Sequence, residues 1–268
     1  MKKWVSLAAI LLVAGFVILN TGCVPTEYPP VENLNYEVVN DKDGNYGGGI
    51  KVTWSAPADA DPDEYIVSVD DEDQVAVTVL EDYVYTPGVE IEVFAVYGDE
   101  KSTGNPTIEF KTVETKDFHV WSVLDPLPGH PSGFGFNVAN GSVTSYSVAK
   151  ENEDNWPKID YYIADDGGPV LAAPMDHIPS LNNKGSAASE EATDYDALEI
   201  VKPKGNYSTQ RKLEINAVYG LWLDEENDSD PTGDFFGKLQ VSNIDGYDVT
   251  LRVALQLEPG LRWVIVTD

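Results

Sequence analysis

The residues that could do chemistry in this chain are few, and most sit in loops. His130 lies in "LPGHPSG", and His177 follows Met175 in "APMDHIPS". Imidazole nitrogen and thioether sulfur can both bind haem iron axially, so His130 with Met175 or His177 would suit ligation from opposite faces. The same residues also serve as ordinary turn and surface residues, and their spacing does not decide between the two. His119 opens a run with strand character and reads as packed. In "DEENDSDPTGD", Asp228, Asp230 and Thr232 fall at the first, third and fifth ligand positions of a calcium loop, with Gly233 at the sixth. The twelfth position is Leu239 instead of glutamate, no helical pattern flanks the loop, and a turn between strands explains the same composition. No G-x-S-x-G, H-E-x-x-H or phosphate loop is present. With 46 Asp and Glu, a carboxylate pair at any spacing says nothing about glycoside hydrolysis. The chain therefore reads as a non-catalytic protein with no required cofactor, with haem and calcium as the ligand alternatives.

The elements that must position these residues read as strands. From residue 31 onward, short alternating runs are separated by Gly, Pro, Asn and Asp, and helical periodicity is nearly absent, which predicts an all-β fold. "IKVTWSAP" puts Ile50, Val52 and Trp54 on one face. "EYIVSVD", "QVAVTVL", "VEIEVFAVY" and "TIEFKTV" follow, giving about seven strands before residue 114, as in a two-sheet sandwich. A boundary is expected at Glu114 to Lys116. Residues 115–268 then form a second antiparallel β-rich domain with strands that include "KIDYYIA", "GKLQVSNI" and "DVTLRVALQL". In the last of these, Val249, Leu251, Val253, Leu255 and Leu257 form a buried face and Asp248, Thr250, Arg252 and Gln256 a wet one. Residues 175–196 read as one long loop, either mobile or carrying a site. Among the aromatic residues of this half, "DNWPKIDYY" is the stretch expected to offer a ring at the surface.

The net charge of −29 argues against nucleic acid and anionic headgroups as partners. Hydrophobic residues make up 42% of the chain, enough for packed cores. Its one cysteine, Cys23, cannot form an internal disulfide. Lys2 and Lys3 precede an apolar run from Trp4 to Leu19. At about 1.5 Å per residue that run spans about 24 Å, short of a bilayer core of roughly 30 Å. The pattern is that of an export signal ending at residue 22.

Gly22-Cys23 resembles a bacterial lipobox, with Leu19 one place before its usual position. The resemblance implies that Cys23 is lipidated and becomes the mature N-terminus. The membrane would then be a partner through that lipid, and the resemblance implies that Val24, in place of an aspartate, would send the protein to the outer membrane of a two-membrane cell. The competing reading is an uncleaved anchor with a free thiol. Residues 23–30, with Pro25, Pro29 and Pro30, would be a stiff spacer.

Residues 31–114 resemble a fibronectin type III domain, an immunoglobulin-like sandwich. The likeness rests on Pro29, Pro30, Val31 and Leu34, on Trp54 followed by Ser55-Ala56-Pro57, and on Thr86-Pro87-Gly88 with Val93, Ala95, Tyr97, Gly98 and Ser102. Ile91 stands at the tyrosine-corner position. Residues 132–257 are similar to the HmuY-like family of bacterial haem-binding surface lipoproteins, through "FGFNVANGSV", "KIDYYI" and "DFFGKLQVSNIDGYDVTLRVALQ". These resemblances imply a lipid-anchored, extracytoplasmic surface protein that binds an unidentified surface ligand or protein. Haem capture is the alternative, and a polysaccharide-acting enzyme a third.

Overall fold

The computed structural model describes residues 28–125, 127–176 and 185–267. Cys23 and the leader therefore lie outside the described residues, as does His177. The chain is all-β and its sheets are antiparallel. Eight strands come first: β1 (Glu32–Asn40), β2 (Tyr46–Ser55), β3 (Glu64–Val69), β4 (Glu72–Asp73), β5 (Glu81–Val84), β6 (Glu90–Tyr97), β7 (Glu100–Lys101) and β8 (Thr107–Glu109). One sheet has the order β1-β2-β5 and the other β4-β3-β6-β7, with β8 also on β6. Period-two burial makes the two sheets face each other. Ile50, Val52 and Trp54 of β2 meet Tyr65, Val67 and Val69 of β3 and Ile91, Val93 and Ala95 of β6 in one core. Ile91 is fully buried there, as its apolar side chain requires.

The alternation of "QVAVTVL" does not become a strand. Only Val77 bridges to Tyr65, while Val75 is 85% exposed, and the pairing with β2 is made by β5 instead. Gln74 N–H donates to Val67 O and Val77 exchanges both backbone bonds with Tyr65, so the run follows the edge of β3 for one bridge and then leaves it.

Ten more strands build a second sandwich: β9 (Thr112–Trp121), β10 (Gly133–Asn137), β11 (Ser142–Tyr146), β12 (Tyr161–Asp165), β13 (Pro169–Ala172), β14 (Ala187–Glu191), β15 (Gln210–Lys212), β16 (Val218–Leu223), β17 (Phe235–Asp245) and β18 (Asp248–Gln256). Their sheets run β11-β10-β12-β13-β15 and β14-β16-β17-β18-β9. Between them lie Phe134, Tyr161, Ile163 and Leu171 from one side and Leu221, Leu239, Val249, Leu251, Val253 and Leu255 from the other.

Three expectations are corrected here. The break expected at Glu114 to Lys116 falls inside β9, a continuous strand paired with β18 from Thr112 to Trp121, so the change of core comes at Phe110 and Lys111. The stretch 175–196 is not all loop, because β14 lies within it and pairs with β16. The expected wet face of β18 is largely covered. Ala254 packs with Tyr195, Leu198, Val201, Trp222, Phe236 and Val264, and Gln256 is buried.

The last of that cover comes from the C-terminal segment, which also corrects the extent given to the second domain. Leu261 and Trp263 pack in the core of the first sandwich. Between them Arg262 is 2% exposed. Its guanidinium donates to Tyr46 O at 2.8 Å, Val201 O at 2.7 Å and Asp41 Oδ2 at 2.7 Å, so one side chain ties both sandwiches. "YGGG", which reads as a turn by composition, is the start of β2 and the bed for this segment. A Cβ on Gly47, whose φ is +82°, would come within 2.1 Å of Gly260 O. Among the described residues no helix is long and apolar enough to cross a membrane.

Candidate functional site

β9 delivers the first group of side chains. Its alternation turns Phe118 and Val120 into the core and puts His119 and Trp121 on the opposite face. The chain then loops back so that His130 lies flat on Trp121, with ring centroids 4.4 Å apart and an interplanar angle of 21°. His119 stacks on the same indole at 6.2 Å. Each histidine has a carboxylate on Nδ1, Asp125 at 2.6 Å for His130 and Asp248 at 3.0 Å for His119. The His130 bond is the main cause that holds the Asp125 carboxyl below its usual range, helped by the Leu127 N–H. With Nδ1 engaged, the other ring nitrogen, Nε2, is the one available to a ligand.

Two grooves meet at this ridge, and Asp125, Leu127 and His130 line both. The larger, about 1050 Å³, runs between the loop 123–132 and residues 147–156. Its far wall carries Trp156, whose indole N–H donates to Val148 O at 3.1 Å. The smaller, about 440 Å³, is bounded by Trp121, Tyr247 and Asp248. Leu124 and Leu127 stand 57% and 58% exposed, leaving apolar surface beside the imidazole. Met175, in a short 3-10 turn at Pro174–Asp176, lines neither groove. Of the two described residues expected around haem iron, His130 is at the ridge and Met175 is not. The sequence reading missed Trp121 as its stacking partner and Asp125 as its orienting carboxylate. The signal was the pair Asp125 and His130 in one proline-rich loop, next to the alternation of His119 and Trp121.

The second group sits on the connector between β16 and β17. Asp224, Asp228 and Asp234 each bring one carboxylate oxygen within 4.8 Å of the others. Asp228 was expected here, whereas Asp230 and Thr232 are not among the three. Asp228 Oδ1 accepts the Asp230 N–H, and Asp230 Oδ1 accepts both the N–H and the hydroxyl of Thr232, which are turn-forming bonds. Trp222 donates its indole N–H to Asp234 Oδ2 at 2.7 Å. Burial pushes the Asp234 carboxyl up to about 7 against that bond, and the charges of Asp224, Asp228 and Asp230 add to the rise.

A third cluster faces the covering segment 195–201. Lys238 is 1% exposed and donates to Tyr195 O at 2.8 Å and Leu198 O at 2.9 Å. Arg252 joins Glu114 at 2.6 Å and Asp196 at 2.8 Å. The polar contacts of both cations are made with the fold itself.

No family model matches this chain, and no curated protein does. Among solved structures, a DUF4466 family protein from Parabacteroides merdae is similar over 84% of this chain and 99% of that one, at 11% identity and a TM-score of 0.40.

Proposed function

We propose that this chain is a non-catalytic ligand-binding protein, tethered outside the cell by lipid on Cys23, with the first sandwich as spacer and the His130 ridge as the ligand surface. The observation that carries the binding role is the Trp121–His130 stack held by Asp125, with a groove on either side. A flat aromatic face beside exposed leucines suits a planar or ring-shaped ligand, which gains from stacking while the oriented imidazole supplies direction. The spacer role is supported by the split of strands into β1-β2-β5 and β4-β3-β6-β7, which agrees with the fibronectin type III likeness. Thermal melting of the full chain with haem and with a panel of glycans tests the binding role, because a ligand of the native state raises the midpoint by mass action. A shift lost in both Trp121→Ala and His130→Ala is expected. A shift that survives both changes would move the ligand site elsewhere. The tether is tested on its own by intact mass of the natural product, where a free thiol at Cys23 would exclude it.

One observation favours haem as the ligand. A histidine whose Nδ1 is held by a carboxylate has the orientation and basicity of a metal ligand through Nε2. Titration with haem is expected to give a saturable absorption band that His130→Ala abolishes and Met175→Leu leaves in place, since Met175 lines neither groove.

A further inference from the structure

Two carboxylates of the connector 224–234, Asp224 and Asp234, are buried with no ion pair to a cation among the described residues. Asp224 is 2% exposed and Asp234 7%. Asp224 Oδ2 accepts the Ser229 N–H at 3.2 Å, but its Oδ1 is buried with no hydrogen-bond partner. An ionised carboxylate oxygen without a partner in a dry interior is costly, and a second and third carboxylate nearby raise the cost. Lys204, a cation that reaches this loop, gives its ammonium to Ser229 O. That buried oxygen is one that a bound cation would satisfy.

The geometry supports one. An ion held at about 2.4 Å by two oxygens requires them to be no more than about 4.8 Å apart. The three carboxylates meet that condition pairwise. The donors are all hard oxygens with no histidine or sulfur, which selects against zinc and copper and for calcium or magnesium. Mg²⁺ demands near-ideal octahedral geometry and gives up its waters reluctantly, so a site with two buried carboxylates, Asp224 and Asp234, suits the larger and more tolerant Ca²⁺. The connector also closes over the start of β14: Gly185 donates its N–H to Asp224 O at 2.7 Å, and a Cβ there would meet Asp224 Oδ2 at 2.8 Å. We propose that Asp224, Asp228 and Asp234 bind Ca²⁺, and that the ion fixes the corner where the β16–β17 connector covers the start of β14.

The alternative is that a proton on Asp234 does the same work. Titration calorimetry and melting of the full chain with CaCl₂ and, separately, MgCl₂ distinguish the two. Ca²⁺ is expected to bind and to raise the melting point, more strongly than Mg²⁺, and to change the emission of Trp222, whose indole bonds Asp234. Asp224→Asn and Asp234→Asn should weaken binding by at least about tenfold, because each removes one charge from the site. Asp228→Asn, at an exposed position that does not endanger folding, should weaken it too. Asp230→Asn removes a nearby charge but no ligand, and should weaken binding less than Asp228→Asn does. No heat and no melting shift up to about 10 mM Ca²⁺, above the weakest range of extracellular sites, would overturn the proposal. So would equal binding by the parent and Asp228→Asn. The haem and glycan titrations read a different site, so either result stands apart from the other.

Discussion

Lys238 is a positive charge placed where water does not reach. Two carbonyls and the Tyr195 ring, 4.6 Å from the ammonium, receive it. Burial lowers its pKa to about 8, and Arg252 pushes the same way against Asp196, Glu114 and Glu199. Between about pH 8 and the ordinary value of 10.5, the unfolded chain holds this proton and the native chain has released it. Stability contributed by this group therefore rises with pH across that window. Chemical denaturation at pH 7.5 and 9.5 should show the parent gaining relative to Lys238→Met. Lys238→Met should also be less stable at pH 7.5 by about 1–3 kcal/mol, since two carbonyls lose their donor. A parallel pH profile in the two proteins would count against the buried charge. In the sequence, Lys238 was only a polar letter in "GKLQVSNI", because its partners lie on a segment some forty residues upstream. Asp228 was legible from loop spacing. Asp224 and Asp234 were not, because the hairpin closing brings them together, with no loop template to reveal them.

At the scale of elements, period-two alternation was a good guide wherever a partner sheet existed. β2 and β6 bury the faces their sequences mark, and so does β18 on the side facing the opposite sheet. "QVAVTVL" shows the limit, since the pattern is present but the run touches the edge of β3 at a single bridge and none of its residues is fully buried. "YGGG" shows another limit. Its glycines looked like a turn, and they are strand residues, of which Gly47 and Gly48 are kept bare so that residues 260–262 can pass close by. Gly47→Ala should accordingly lose about 2–4 kcal/mol in urea denaturation, through both the positive φ and the approach to Gly260 O. Gly44→Ala has a similar φ of +86° with open space around it, and should cost only the backbone share, about 1 kcal/mol. Equal losses in the two would mean that the close contact does not exist.

Over the whole molecule, the join between the sandwiches depends on Arg262 and its two apolar neighbours. Burial works against the Asp41 charge, yet bonds from Asn45, Asp43 and Arg262 hold its carboxyl below the usual range. Arg262→Ala should remove the ion pair and strand the Tyr46 and Val201 carbonyls, at a cost on the order of 3 kcal/mol. Calorimetry should then resolve two transitions where the parent gives one, because the sandwiches would no longer unfold as a unit. A single unbroken transition in the variant would show that the packing of Leu261, Trp263 and Ile200 is enough to couple the two. The two β-rich halves were readable from the sequence. The return of the tail was not, because Leu261 and Trp263 look like any other strand pattern until the core they enter is known.

That return also sets an order of assembly. As the chain emerges from the ribosome, Ile50, Val52 and Trp54 arrive about two hundred residues before the indole of Trp263 that completes their packing. The first half must wait, incompletely closed, until the second has been delivered. A nascent chain stalled short of residue 260 would leave that half open to proteases, and only a finished molecule would resist them.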